Sequence, residues 1–417
     1  MDTVSNIEYV GGQMGFFFGS EDELSTYISH TQGSKKLICR VQVKANDFLY
    51  YFPLSKLGMV TRYNVNVAAI KTLSALNAAQ AEATLAEQKT LAKYVGWGGC
   101  ANVFNPNDAK WSKRHNTLKS LLTCDQWNSA KLSTLSAFYT PDFLSKTIYN
   151  ELVKAGVCSG TFLDTSAGVG GLVRTMPESL NNAMDINLVE QDAISAQILE
   201  KLYPSANIQN MGFENAKFKN PISVVFHNPP FGQAPIFDSA NKTLSGLSLH
   251  NYFLAKSATL LAKNGWMIAI VSRSFMDSAN SKSRALVGQF ASLKAAVRLP
   301  KQVFEVSTGA NATVDVLLFQ EGAETNTAWF NAESVKDASN KDYFLNQYFI
   351  THPEMIHGEM LVGEVFQGNS VHCEGNNDFE NVAIKAINMM FAGQTFNGET
   401  SFNQAQHNVA HVERQII

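Results

Sequence analysis

In this 417-residue chain, the run Phe226-His227-Asn228-Pro229-Pro230-Phe231-Gly232 has the residue types and spacing that most directly imply chemistry. Two consecutive prolines after a β-rich run donate no backbone hydrogen bonds and hold φ fixed, so the neighbouring carbonyls point rigidly. The Asn228 side-chain oxygen and the Pro229 carbonyl then make two acceptors held side by side. Such a pair suits a planar NH2 group: accepting both protons weakens conjugation of the nitrogen lone pair with its ring and frees it to attack an electrophilic methyl. No general base has to deprotonate the amine first, because the proton can leave after transfer. Phe231 offers a flat face on which a base could stack, worth about 1–3 kcal/mol. Without that chemistry the same residues make a Pro-Pro loop after a strand.

Three upstream segments could supply a partner for this tetrapeptide. In Phe162-Leu163-Asp164-Thr165-Ser166-Ala167-Gly168-Val169-Gly170-Gly171-Leu172 a hydrophobic strand ends in a carboxylate and turns through glycines into a helix. Glycine permits positive φ and close backbone approach to a ligand, and a helix amino end favours an anionic group. A Gly-x-Gly turn is shared with dinucleotide enzymes. Here the acid sits at the strand tip ahead of the glycines, as in sites for the amino-acid part of a nucleoside cofactor. The plain alternative is a tight strand-to-helix turn. Glu190, at the tip of the following strand, can accept both hydroxyls of a ribose, with Asp192 close enough to compete and a solvated loop acid as the bland reading of either. Finally, in Ala137-Phe138-Tyr139-Thr140-Pro141-Asp142-Phe143-Leu144, Thr140 can cap a helix that begins with Pro141, leaving free N–H groups nearby.

Taken together, these segments resemble the motif set of class I S-adenosylmethionine-dependent amino-methyltransferases, and among them the adenine-N6 DNA methyltransferases. The element from Phe138 to Pro141 is similar to the cofactor-binding Phe-x-Thr-Pro element of the modification subunits of type I restriction systems. Further matches resemble large phage- and plasmid-borne methyltransferases, often fused to helicase domains: Lys93 to Gly99, Gly212-Phe213-Glu214, Val297-Arg298-Leu299-Pro300 with Phe304, Thr313 to Leu317, and Tyr348-Phe349 followed by His352 to Met355 with Gly358. The resemblance covers roughly residues 90 to 360. It implies S-adenosylmethionine bound through Tyr139, Thr140, Asp164, Ser166, Gly168, Gly170 and Glu190, with the target base held by Asn228 to Phe231. Where the family carries an Asp for the cofactor ring, this chain has Gly212-Phe213-Glu214, so Glu214 is expected to substitute. Thr165 stands where the family commonly has Pro. No separate target-recognition segment is evident, which predicts low or short sequence specificity. A stacked adenine in a duplex is unreachable, so a DNA substrate implies base flipping. Asn-Pro-Pro-aromatic also serves enzymes acting on RNA bases or protein glutamines, and an idle relative acting as a DNA-binding or phage-defence protein is the alternative outside catalysis.

Net charge gives no global sign of a nucleic-acid partner: −3, from 33 Lys and Arg against 36 Asp and Glu. The charge is segregated, however. From Lys110 to Lys146 six basic residues face two acidic ones, a balance of +4, and from Asn251 to Lys301 eight face Asp277 alone, a balance of +7. From Val303 to Ile417 fifteen Asp and Glu face four Lys and Arg, a balance of −11. A polyanion could find a basic face despite the mean, through Lys113, Arg114, Arg273, Lys282, Arg284 and Arg298; solvated helix faces are the competing reading. The acidic extension could contact a protein partner. Five scattered cysteines, none spaced Cys-x-x-Cys, point away from a disulfide framework and a zinc site and toward a reducing cytoplasm. The start has no basic n-region ahead of an apolar run, and no stretch approaches the ~20 apolar residues of a membrane helix.

The elements that must position these residues follow from periodicity. Strand-like runs ending at Asp164, Glu190, His227 and Val271 alternate with helical stretches such as Ala193 to Leu202 and Tyr252 to Leu261. That alternation predicts an α/β, doubly wound, mostly parallel sheet, a Rossmann-like methyltransferase core over residues 136–325. Ligands of such sheets bind beyond the carboxyl ends of the strands. Residues 1–60 read as a small N-terminal α/β segment, with strand candidates at Leu37 to Val43 and Phe48 to Phe52. Residues 61–135 read as helical, with one long or two shorter helices from Val65 to Lys93 and a Gly-rich turn after them. Residues 326–417 read as an acidic, weakly periodic extension.

Overall fold

The computed structural model describes residues 57–135, 139–308, 312–365 and 368–398, together with Phe48 and the short strand stretches 14–15, 25–29 and 38–41. The near-continuous apolar runs become the strands of one seven-stranded sheet: β1 (Gly160–Asp164), β2 (Met184–Glu190), β3 (Asn207–Asn210), β4 (Ile222–His227), β5 (Leu261–Ser272), β6 (Ala291–Leu299) and β7 (Val314–Glu321). Their spatial order is β3-β2-β1-β4-β5-β7-β6. β1 pairs in parallel with β2 and β4, β2 with β3, and β4 with β5, while β7 runs antiparallel to both β5 and β6. The doubly wound, mostly parallel Rossmann-like sheet read from the sequence is present, with one antiparallel strand inserted near an edge.

Alternate residues of the same strands feed different cores, as strand geometry requires. Phe162, Ile186, Leu188, Val224 and Phe226 join one hydrophobic cluster, and Leu163, Val189, Val225 and Met267 join another. Both faces are therefore covered, which is why these strands read as unbroken apolar runs. Strand order reverses between β1 and β4, and at such a switch point a crevice opens beyond the strand carboxyl ends.

Residues 65–93, expected to be one long helix or two, form two. α1 spans Met59–Ala79 and ends at Gln80 in the left-handed region, φ 49°. α2 (Leu85–Leu91) restarts behind a capping box in which Thr84 and Glu87 satisfy each other's backbone N–H groups. Two more helices, α3 (Ser112–Leu121) and α4 (Cys124–Leu132), follow the Gly-rich turn. At that turn Trp97 is fully buried and meets Tyr63, Tyr94 and Phe104 edge-on. Of the two N-terminal strand candidates, residues 38–41 pair with 25–29. Phe48 is buried and donates its N–H to the Leu202 carbonyl at 2.8 Å without forming a strand. The remainder of that run, and Phe138, lie outside the described residues.

The acidic extension is more ordered than its weak periodicity predicts. It folds into two strand pairs, β8 (Ala332–Lys336) with β9 (Asp342–Asn346) and β10 (Glu359–Val365) with β11 (Gly368–Glu374). A helix, Phe379–Phe391, then buries Ala383, Ala386, Ile387 and Met390 in the core and sets Phe391 6.0 Å from Trp266. The sequence pattern missed this because short hairpins carry few periods to read. Among the described residues no helix is long and apolar enough to cross a membrane.

Candidate functional site

Beyond the carboxyl ends of β1, β2 and β4 lies a cavity of about 490 Å³, within the range of about 300–1,000 Å³ that holds small-molecule ligands. Tyr139, Thr140, Asp164, Ser166, Gly168, Glu190, Glu214, Asn228 and Pro230 all line it. Residues drawn from five separated stretches of sequence thus meet around one volume.

Two carboxyl groups define its character. Asp164, 1% exposed at the tip of β1, accepts the Ser166 backbone N–H at 3.1 Å. Burial pushes its pKa up to about 7, with that N–H pulling the other way. Glu190 ends β2 and accepts two backbone N–H groups, from Gly168 at 2.8 Å and from Asp192 at 2.7 Å. Burial pushes its pKa up to about 8; the two N–H bonds oppose that rise and the charges of Asp192 and Asp164 add to it. Neither carboxyl has a cation bonded to it among the described ion pairs. Asp192, the possible competitor, is committed elsewhere. It caps the helix Ala193–Leu202 through the Ser195 N–H at 2.9 Å and accepts the Ser129 hydroxyl at 2.7 Å.

The glycines divide in role. Gly168 lines the cavity in a left-handed conformation, φ 57°, and hands its N–H to Glu190. Gly170, expected to bind the cofactor, does not line the cavity. It too is left-handed, φ 80°, and a Cβ there would strike the Tyr203 ring, whose hydroxyl donates to the Gly170 carbonyl at 3.2 Å. Its absence of a side chain is a packing requirement of the turn.

Asn228 is oriented by two of the upstream segments. Its Nδ2 donates to Thr140 Oγ1 at 3.2 Å, and Ser166 Oγ donates to its backbone carbonyl at 3.1 Å. The first bond fixes which end of the amide is the acceptor. It also corrects the role expected of Thr140: the following helix begins at Asp142, with Pro141 in the N-cap position and no side-chain cap. Asp142 itself pairs with the buried guanidinium of Arg174. Pro229 is buried behind Asn228 and Pro230. Phe231 is half-buried, stands edge-on to His250 with ring centres 6.1 Å apart, and does not line this cavity. His227 bonds Thr165 Oγ1 through Nδ1 at 2.8 Å, and burial, reinforced by His250, pushes its pKa down to about 3, so it is neutral.

The expected DNA-contacting cations split into two kinds. Lys113 and Lys282 are exposed, and Arg114 is partly exposed with its guanidinium 5.3 Å from the Trp111 ring centre. Arg273 is partly exposed, donates to the Val371 carbonyl at 2.9 Å and pairs with Asp277 at 3.1 Å. Arg284 and Arg298 are not available to phosphates. Arg284, 1% exposed, spends its guanidinium on the carbonyls of Phe330, Phe275 and Ser278 at 2.6–2.8 Å. Arg298, 0% exposed, lies between Asp315 and Asp277, each at 2.8 Å. Both arginines sit on elements whose burial a charge count along the sequence cannot register.

Sequence reading missed the far wall. Gly96, Ser129, Leu132 and Ser133, from the helical region, and Met211 and Phe253 also line the cavity. The Asp192–Ser129 bond holds α4 over it. The one available signal was Gly96, whose φ of 60° is an option that few residues other than glycine take readily, and whose carbonyl accepts from Asn66 at 2.6 Å.

No protein-family model matches the chain. "Defense against restriction protein B" of Escherichia phage P1 is 26% identical over 193 residues, which is 45% of this chain but 8% of that protein's length. Among solved structures, a putative class I S-adenosylmethionine-dependent methyltransferase from Listeria monocytogenes aligns at TM-score 0.40 and 15% identity, covering 63% of this chain and 89% of its own. A modification subunit of a putative type I restriction enzyme from Vibrio vulnificus YJ016 aligns at TM-score 0.40 and 14% identity, covering 64% of each chain. The methyltransferase subunit of a type I restriction-modification system from Streptococcus thermophilus aligns at TM-score 0.38 and 12% identity, covering 78% of this chain and 80% of its own.

Proposed function

We propose that this chain transfers a methyl group from S-adenosylmethionine to the N6 amino group of adenine in DNA, with the base flipped out of the helix. The observation that carries the reading is the hydrogen bond from Asn228 to Thr140, which ties the Asn-Pro-Pro-Phe motif to the wall of a cavity containing Asp164 and Glu190. The residues fit the cofactor. A buried Asp164 and a partly buried Glu190, neither with a bonded cation among the described ion pairs, suit a ligand that brings a cationic amine and a sulfonium, and Glu190 stands where ribose hydroxyls would be accepted. Gly168 gives the backbone a close approach to the amino-acid end, and Glu214 faces the same volume for the adenine end. The cofactor supplies an electrophilic methyl group. The chain's own part is to hold the target NH2 against the Asn228 acceptor, to stack the base on or near Phe231, and to close the cavity with α4.

DNA is favoured as the polymer by the exposed cations Lys113 and Lys282 and by the partly exposed Arg114. The matched phage protein is named for defence against restriction, and adenine methylation is chemistry that can shield DNA from cleavage. Low or short sequence specificity is expected; sequencing the methylated DNA and finding N6-methyladenine confined to one long motif would refute that. The test of substrate class is transfer of label from the methyl group of S-adenosylmethionine to DNA, RNA and protein offered side by side. Label in DNA supports the reading, label in RNA or protein alone replaces it, and no label in any polymer leaves a non-catalytic DNA-binding role.

A further inference from the structure

Between Phe231 and the helix Leu249–Thr259, the chain makes a hairpin whose construction is unusually tight for a loop. Ile236 N–H donates to Leu247 O at 2.9 Å, Gly246 N–H to Ile236 O at 2.7 Å, and Leu249 N–H to Ala234 O at 2.9 Å. Its turn is built around Asp238, which is 4% exposed. That carboxylate accepts the Ala240 and Asn241 N–H groups at 2.8 and 2.9 Å and the Tyr252 hydroxyl at 2.6 Å. Leu244, 1% exposed, anchors the far side. Yet Phe237, directly before Asp238, is 75% exposed. The turn buries Asp238 and Leu244 and leaves Phe237 in water, where the ring gains nothing for folding.

The hairpin also separates two concavities. Ile236 and Leu249 line the cavity that holds Asn228, Asp164 and Glu190. Gln233, Ser248 and Asn251, one step along the same segments, line a second cleft of about 540 Å³. Hydrogen-bonding groups including Asn280, Ser274 and Tyr343 line that cleft beside the Arg273–Asp277 ion pair, the kind of surface that meets base edges and phosphates.

We propose that Phe237 is a stacking wedge: it enters the base stack of bound DNA beside the target adenine, and the polar cleft behind it receives the neighbouring nucleotide. This rests on the reading of the chain as a DNA methyltransferase. An aromatic face stacks on any base, and apolar side chains placed between base steps hold a duplex open. Phe237 touches neither Asn228 nor the cofactor cavity, so it is a positioning residue.

The experiment uses the full chain and an oligonucleotide whose methylated adenine has been mapped, as duplex and as single strand, with 2-aminopurine at that position for fluorescence. In the duplex, Phe237→Ala abolishes the fluorescence rise on binding and slows methylation by about tenfold or more, the loss of one stacking contact. Single-strand methylation and S-adenosylmethionine binding are unchanged, because nothing has to be unstacked there. Phe237→Trp restores duplex activity, and its emission is quenched by the bases. The proposal is overturned if Phe237→Ala flips and methylates the duplex as the native chain does. It is equally overturned if duplex and single-strand activity fall in parallel. Failure of the parent reading is seen separately, on the native protein alone: no methylation of any DNA removes both.

Discussion

Buried carboxylates occur at two places in this molecule, and their surroundings are opposite. Toward the β7–β6 edge of the sheet, Asp277 and Asp315 close on Arg298, and Asp277 also accepts the Asn346 N–H at 3.1 Å. Burial works to lower the guanidinium's pKa, and the two carboxylates outweigh it and raise it. The cluster ties β6 and β7 to the short helix Ser274–Asp277 and to the end of β9. In the cavity, Asp164 and Glu190 are also enclosed but have only backbone N–H groups for company. The first arrangement is an ion-paired cluster that holds the fold; the second has no cation among the described ion pairs.

That contrast yields its largest effect at Arg298. Arg298→Ala strands two buried carboxylates and should cost about 3–5 kcal/mol in urea unfolding. A loss below about 1 kcal/mol would mean the cluster is not structural. Asn228→Ala should leave the melting temperature within the native range while methyl transfer falls roughly 10²–10³-fold, the scale on which a single polar group that stabilises a transition state counts.

The cavity carboxyls make a prediction of opposite sign to the usual behaviour of acids. Their folded-state pKa values, about 7 and about 8, lie above the ordinary carboxyl value. Between those limits the folded chain binds more protons than the unfolded chain, so stability falls as pH rises. Asp164→Asn should therefore stabilise the ligand-free protein at pH 8, on the order of a few kcal/mol, and change little at pH 4. The same variant should weaken S-adenosylmethionine binding, and in the native protein affinity should rise with pH up to about 8, with proton release on binding. A pH-independent calorimetric proton count of zero would contradict this.

The smallest effects separate exposed from buried cations. Lys113→Ala and Lys282→Ala should each reduce the salt dependence of DNA binding by about one unit of slope while leaving stability unchanged. Arg284→Ala should do the reverse, losing stability because three carbonyls lose their donor.

The alternation of apolar runs made the sheet legible in the sequence, and the strand tips made Asp164, Glu190 and Asn228 legible, because a carboxylate or amide ending a buried strand has few structural uses. What could not be read was burial in three dimensions. Arg284 and Arg298 look like their exposed neighbours until Asp277, from the short helix Ser274–Asp277, and Asp315, from β7, are brought beside Arg298. Thr140 looks like a helix cap until Asn228, from another strand, claims its hydroxyl. Gly170 looks like Gly168 until Tyr203 packs against it. Ser129 and Leu132 carry no motif at all, and only the helix that Asp192 pins through Ser129 puts them on the cavity wall.

The most direct test of the central claim is nucleoside analysis of DNA incubated with the purified chain and S-adenosylmethionine labelled on its methyl group. The label should appear in N6-methyl-2′-deoxyadenosine from DNA treated with the native chain and be absent with Asn228→Ala. Label in a methylated cytosine, or label in adenine that persists with Asn228→Ala, would contradict the account.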